Sequence, residues 1–190
     1  RSHGWSRALP SKNFKNFTNL RSLNINDFDE IDPRYMFIDE GYNLRPTEIG
    51  ASFGIHQLEK SDNFMKKRKK LANEFYMSIS NLETISGPSI VEGCDPSFMA
   101  LPVTIKNGKS AKIAIAFLEE HGIESRPLIA GNMLRHPVAK NLKLISTGNL
   151  DGADHHHFHS FYVGLTPMHS LEDIEKLSRI FKQLDNVLTI

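Results

Sequence analysis

The sequence predicts an α/β chain. A small, mainly antiparallel sheet is expected, covered on one face by helices and preceded by a long amphipathic helical segment. Three observations predict it. Apolar residues recur at helical spacing over residues 46–81 and again after Ser170. Short apolar runs bounded by turn residues read as strands, as at residues 98–105 between Asp95-Pro96 and Asn107-Gly108. From residue 82 onward the order reads strand, strand, helix, strand, strand, helix.

Residues 1–41 are rich in Asn, Asp, Ser and Pro, with scattered apolar side chains, and read as loops and short turns. Forty such residues do not normally open an isolated domain, so they are expected to lie against something else. Pro46 suits the first turn of a helix, where its missing N–H would be unpaired anyway. Ile49, Phe53, Ile55 and Leu58 form an apolar stripe, and Phe64, Leu71, Phe75, Ile79 and Leu82 continue it past an interruption at Ser61-Asp62. The expected object is a long, broken helix over 46–81, with Lys66, Lys67, Arg68, Lys69 and Lys70 on its wet face. Gly50 and Gly54, four apart, suggest close packing.

A helix over 110–121 follows the first long strand, with Ile113, Phe117 and Leu118 inward and Gly122 as its stop. Residues 123–129 read as a short strand. Residues 131–152 read as loop, with one helical turn near 137–142, and residues 158–163 as a strand. Ser170 caps the last helix. Glu172 and Asp173 sit in its first turn, and Ile174, Leu177, Ile180, Phe181 and Leu184 form its stripe.

Composition excludes several classes. Among 190 residues, 39% are apolar and 24% charged, a globular balance, and a formal charge of +1 demands neither nucleic acid nor an anionic membrane. The single cysteine, Cys94, excludes an intramolecular disulfide framework and a four-cysteine metal site, and fits a reducing, cytoplasmic setting. No apolar run approaches the roughly 18 residues of a membrane helix. Phosphate-binding glycine motifs are absent, and the basic run lacks the interleaved aromatics of single-strand binders, so nucleic acid is not an expected partner. The chain begins with Arg1 rather than Met and is expected to be a piece of a longer protein.

His155, His156, His157 and His159 form the densest cluster of potential ligands, with Asp151 and Asp154 nearby. Solvated histidines are the plain reading. One or two lining a site, or a metal, are the alternatives, and the absence of HExxH or paired cysteines leaves no expected metal site. Two polar islands stand out. Residues 41–47, Gly-Tyr-Asn-Leu-Arg-Pro-Thr, place Asn43 and Arg45 beside a helix start, which suits an anion. Residues 124–127, Glu-Ser-Arg-Pro, place Arg126 at a strand end, with Asn132 in the next loop. A cap and a surface ion pair would account for both equally well.

Together, these motifs resemble the DegT/DnrJ/EryC1/StrS group of pyridoxal-phosphate enzymes, sugar aminotransferases with the fold of aspartate aminotransferase (fold-type I). The resemblance is carried by residues 41–49, then Gly54-Ile55-His56-Gln57-Leu58, then Phe64, Arg68 and Ala72. It continues through Gly122-Ile123-Glu124-Ser125-Arg126-Pro127, Phe161-Tyr162-Val163-Gly164-Leu165, Pro167 and Asp173-Ile174, with Arg1-Ser2-His3-Gly4 at the start. It implies a division into a remnant of the large cofactor domain (1–45), a connecting helix (46–81) and a small C-terminal α/β domain (82–190). It further implies that the Schiff-base lysine, or a histidine in its place, lies upstream of Arg1. Lys60 and Lys66 are helix-surface residues by periodicity, so no catalytic residue is assigned here, and these residues alone are expected to bind no cofactor.

The resemblance also implies roles. Asn43 would reach the pyridoxal phosphate, or pyridoxamine phosphate, across a homodimer interface. Arg45, Arg126, Asn132, Arg135 and His3 would serve a nucleotide-linked keto-deoxysugar, with Trp5 lining the entrance and glutamate as amino donor. The loop Leu128-Ile129-Ala130-Gly131-Asn132-Met133-Leu134-Arg135-His136-Pro137 is similar instead to the related pyridoxamine-phosphate sugar 3-dehydrases. No cysteine lies between His3 and Tyr42, which disfavours the iron–sulfur type. Transamination is the leading expectation, cluster-free dehydration the alternative, and a non-catalytic fragment the third. Polysaccharide biosynthesis is the implied destination.

Overall fold

The computed structural model describes residues 35–37, 41, 48–142 and 144–190. They fall into two compact units. The larger runs from Pro46 to Leu128 and from Phe158 to Ile190. The smaller joins Ile129–His157 to the described residues before Arg45.

In the larger unit the expected long helix is two helices, α1 (Glu48–Leu58) and α2 (Ser61–Ile79). The break falls at Glu59-Lys60, just before the expected Ser61-Asp62. There Lys60 N–H donates to Gln57 O at 3.1 Å, and Phe64 N–H picks up Lys60 O at 3.1 Å. α2 buries Leu71, Ala72, Phe75 and Ile79, one face at helical spacing. α1 buries nothing among the described residues: Ile49, Phe53, Ile55 and Leu58 are 65–74% exposed. A side chain added at Gly54 would meet no atom within 4 Å, so the close packing expected there is not found among the described residues.

The sheet has four strands in the order β1-β2-β4-β3: β1 (Ile85–Ser86), β2 (Ala100–Ile105), β3 (Ser125–Pro127) and β4 (Ser160–Gly164). Every pairing is antiparallel. Alternation sets the faces. Leu101, Val103, Ile105, Phe161 and Val163 point into the core, while Pro102, Thr104 and Tyr162 are only partly buried on the other face. The inward face packs against α2, α3 (Ala111–Glu120) and α5 (Leu171–Thr189). At its centre the Phe75 and Phe181 rings meet edge-on at 5.0 Å, and Phe161 stacks on Phe181 at 6.2 Å.

Local chemistry fixes the helix ends. Ser110 Oγ accepts from Lys112 N to cap α3. Its other end closes when Gly122 adopts φ +73°. Gly122 N then donates to Glu119 O and Ile123 N to Leu118 O, the paired bonds of a left-handed helix stop. The inward residues of α3 are Ala111, Ala114, Ile115 and Leu118. Ile113, expected inside, is exposed and Phe117 half-buried, because the stripe through 111, 114, 115 and 118 leaves position 113 on the far side. Ser170 and Asp173 form a reciprocal capping box at the start of α5. That helix buries Ile174, Phe181, Leu184 and Leu188, with Leu177 and Ile180 packed at the margin.

One buried carboxylate ties α5 to the sheet. Asp185 Oδ1 accepts Thr84 N at 2.8 Å and Thr84 Oγ1 at 2.5 Å, and Oδ2 accepts Glu83 N at 3.1 Å. Burial pushes this carboxyl up. The hydrogen bonds from Thr84 and Glu83, with the charge of Lys106, outweigh that and hold it below the ordinary range. Asp185→Ala should cost about 2–4 kcal/mol in chemical denaturation at neutral pH, because two backbone N–H groups lose a charged acceptor. The native value is depressed, so the stabilisation is complete above the unfolded value of about 3.9 and is lost as pH falls through the folded one. Wild type and variant should accordingly converge in acid. Ser125 Oγ is buried with no partner among the described residues. Ser125→Ala should leave the melting temperature unchanged or raise it, and a loss above about 1 kcal/mol would contradict that reading.

Candidate functional site

His3, Trp5, Asn43 and Arg45 lie outside the described residues. The other candidate side chains are Arg126 in the larger unit and Asn132 and Arg135 in the smaller.

Arg126 sits in the middle of β3, opposite Tyr162 of β4, which in turn lies opposite Pro102 of β2. Its neighbour Ser125 points into the core, so alternation turns Arg126 to the other face, which no helix among the described residues of the larger unit covers. Glu124 meets it there: Oε1 accepts Arg126 Nε at 3.1 Å and Nη2 at 2.5 Å. Both side chains are substantially exposed, so this pair is weak and exchangeable. They edge a groove of about 750 Å³ whose other walls include Tyr162, His169, Leu177 and Ile180. A planar guanidinium at the rim of a part-apolar groove suits a ligand with an anionic group and a less polar body.

In the smaller unit the loop from Gly131 to Arg135 is gripped by one helix, α4 (Asp151–His159). Sequence reading left residues 151–159 between loop, strand and helix, and the structure makes them helical. Asp154 and His157, three apart, share a face of α4. Asp154 Oδ1 accepts Asn132 Nδ2 at 2.6 Å and Arg135 Nε at 2.9 Å, and Oδ2 accepts Arg135 Nη2 at 2.6 Å. The bonds from Arg135 and then Asn132 pull the Asp154 carboxyl down to about 2. Asn132 Oδ1 also accepts Leu134 N at 3.0 Å, so both ends of this buried amide are engaged as it caps the short 3₁₀ turn Met133–Arg135. A second 3₁₀ turn, Pro137–Lys140, lies where one helical turn was expected.

His157 Nδ1 accepts the Asn132 N–H at 3.2 Å. His136 is 2% exposed. Its Nε2 meets Ala130 O at 2.7 Å, and its Nδ1 faces the Phe37 N–H at 3.4 Å. A carbonyl can only accept, so the ring carries its hydrogen on Nε2 and is neutral. Burial pushes both histidines down. Sequence reading gave His136 no role and treated Asp154 only as a possible metal ligand. The available signal was the string Asn132-Met133-Leu134-Arg135-His136-Pro137, which concentrates polar groups in a segment too short to be anything but a turn.

The histidine cluster does not converge. His155 and His156 are exposed, His157 faces Asn132, and His159 Nδ1 meets Lys109 O at 2.9 Å. Among the described residues no three His, Cys, Asp or Glu side chains are arranged to hold a metal. None of the described lysines is buried, and Lys69 and Lys176 are paired with Asp95 and Glu172. A Schiff-base lysine needs an enclosed position that lowers its pKa, so the described residues do not by themselves fit a covalently attached pyridoxal phosphate.

Gly131 carries a testable consequence. Its φ is +62°, and a Cβ there would lie 2.4 Å from His157 Nδ1 and 2.9 Å from His157 Cα. Gly131→Ala should destabilise the fold by about 1–3 kcal/mol, measured by denaturant unfolding, because backbone strain and collision act together. An unchanged midpoint would contradict the close approach.

The chain is similar to several known proteins in sequence and in fold. The lipopolysaccharide biosynthesis protein RfbH of Salmonella typhimurium is 32% identical over 157 residues, 80% of this chain and 36% of its own length. The GDP-4-keto-6-deoxy-D-mannose 3-dehydratase of Escherichia coli O55:H7 is 28% identical over 185 residues, 96% of this chain and 45% of its own. A solved structure of the E. coli GDP-4-keto-6-deoxy-D-mannose 3-dehydratase with bound hydrated PLP superimposes with a TM-score of 0.66 at 28% identity, covering 95% of this chain and 45% of that one. The chain thus spans less than half the length of the curated relatives it matches. Residues 9–182 match one family along nearly the whole chain, and the chain belongs to the DegT/DnrJ/EryC1/StrS aminotransferase family.

Proposed function

We propose that this chain is the C-terminal part of a pyridoxal-phosphate-dependent aminotransferase acting on a nucleotide-linked keto-deoxysugar, with glutamate as amino donor. The whole protein is proposed to work as a cytoplasmic homodimer in surface-polysaccharide biosynthesis. The observation that carries this reading is Arg126, turned away from the core at the rim of a groove, in a chain matched by the family along residues 9–182. Bound pyridoxal phosphate supplies the electron sink for amino transfer. In the whole protein its lysine and most of its phosphate contacts come from outside these residues, with Asn43 contributing from this chain. Arg126 exchanges its exposed Glu124 for a phosphoryl or hydroxyl group of the substrate, while Arg45, Asn132, Arg135 and His3 complete the sugar-nucleotide side. These residues alone turn over nothing.

A second reading is favoured by one observation, the 28% identity to a 3-dehydratase over 96% of the chain. In that case the C3 hydroxyl leaves as water and a histidine stands in place of the lysine. One assay separates the two. The full-length protein is given pyridoxal phosphate, glutamate and GDP-4-keto-6-deoxymannose, or its CDP or dTDP counterparts, and the sugar products are analysed by mass spectrometry. An amino sugar formed with equimolar 2-oxoglutarate supports transamination, and a dehydrated, deoxygenated sugar supports the second reading. In either case Arg126→Gln should raise KM for the nucleotide sugar about tenfold or more with little change in melting temperature. An unchanged KM would remove Arg126 from the site.

A further inference from the structure

Asp154 and His157 both reach from one face of α4 into the Gly131–Arg135 loop, and the backbone at Gly131 passes too close to His157 for any side chain to intervene. Oδ1 of Asp154 serves Asn132 and Arg135 together, and Oδ2 completes a two-pronged contact with the guanidinium. The Asn132 amide cannot turn over without losing both Leu134 N and Asp154. Yet the Arg135 side chain is 52% exposed. Ion pairs in such surroundings contribute little to stability. A two-point grip on a solvated arginine does something else: it holds a long, flexible side chain in one plane before any ligand arrives, which removes an ordering cost from binding.

We propose that Asp154 is a positioning residue for the substrate. It presets Arg135, and through Asn132 the loop that carries it, to receive the phosphoryl oxygens of a nucleoside diphosphate. This rests on the nucleotide-sugar reading above and adds to it a residue that acts through Arg135 and its loop rather than by touching the ligand. Asp154 itself, an anion, touches no phosphate.

The test is a double-mutant cycle on the full-length protein, with GDP, CDP and dTDP as the probes and Kd measured by titration calorimetry beside the melting temperature. For the tightest of the three, Asp154→Asn should weaken binding about tenfold. It keeps the shape of the side chain but loses the charge and one acceptor. Arg135→Gln should weaken binding by at least as much. The pair together should be no worse than Arg135→Gln alone, because Asp154 has nothing left to position. Asp154→Glu should recover part of the loss, and all four proteins should melt within a few degrees of one another. The proposal is overturned if Asp154→Asn lowers the melting temperature but leaves Kd unchanged, or if the two losses simply add. If Arg135→Gln weakens binding and Asp154→Asn does not, the positioning role alone fails. Should Arg135→Gln leave Kd untouched, or the wild type bind none of the three probes, the nucleotide-sugar reading of Arg135 falls and the positioning role with it.

Discussion

The register of β4 is the constraint on which the rest of the larger unit depends. β4, like β2, pairs on both sides: with β2 through Val103↔Phe161 and with β3 through Arg126↔Tyr162. Phe161 faces inward and stacks on Phe181, which meets Phe75 edge-on, so one strand, two helices and three rings lock together. A slip of one residue would send Phe161 to the other face and carry Tyr162 into the core. It would also reverse β3, burying Arg126 and exposing Ser125. The position of Arg126 on one face of the sheet is thus a consequence of aromatic packing on the other.

The two units hold their charged groups in different ways. In the larger, Asp185 is buried and survives because Thr84 and Glu83 offer it three donors. It joins the last helix to the chain entering β1 and has no access to a ligand. In the smaller, Asp154 keeps contact with solvent and is paired with an arginine. The first arrangement secures the fold and the second orders a side chain. Arg126 with Glu124 is a third case, an exposed pair loose enough to trade partners.

Much of this architecture was legible in the sequence, and the reasons are physical. α5 carries both its capping residues and its stripe in local sequence, so Ser170, Asp173, Ile174, Phe181 and Leu184 could be assigned directly. β2 alternates cleanly because one face is covered and the other is not. Reading failed where local pattern and tertiary partner part company. Ile113 is apolar and helical but lies off the face that α3 turns inward, where small alanines sit instead. The stripe of α1 is real in sequence and exposed among the described residues, so periodicity identified a face but not what covers it. The helix over Asp151–His159 is mostly histidine and aspartate and has no apolar stripe, and it is held by contacts that a one-dimensional pattern does not register. Of the candidate residues, Arg126 and Asn132 were legible as a polar island, and Arg135 came only from the resemblance. Asp154 as the partner of Asn132 and Arg135 was not, because the pairings close gaps of 22 and 19 residues.

We propose that these residues supply the sugar-nucleotide side of an enzyme whose cofactor is attached elsewhere; membership of the family and the exposed setting of every described lysine except the half-buried Lys69 and Lys109 support that reading. The most direct measurement is borohydride reduction of the full-length protein with pyridoxal phosphate, followed by peptide mapping of the reduced adduct. The account predicts an adduct on a lysine outside these 190 residues. An adduct on any lysine within them would contradict it.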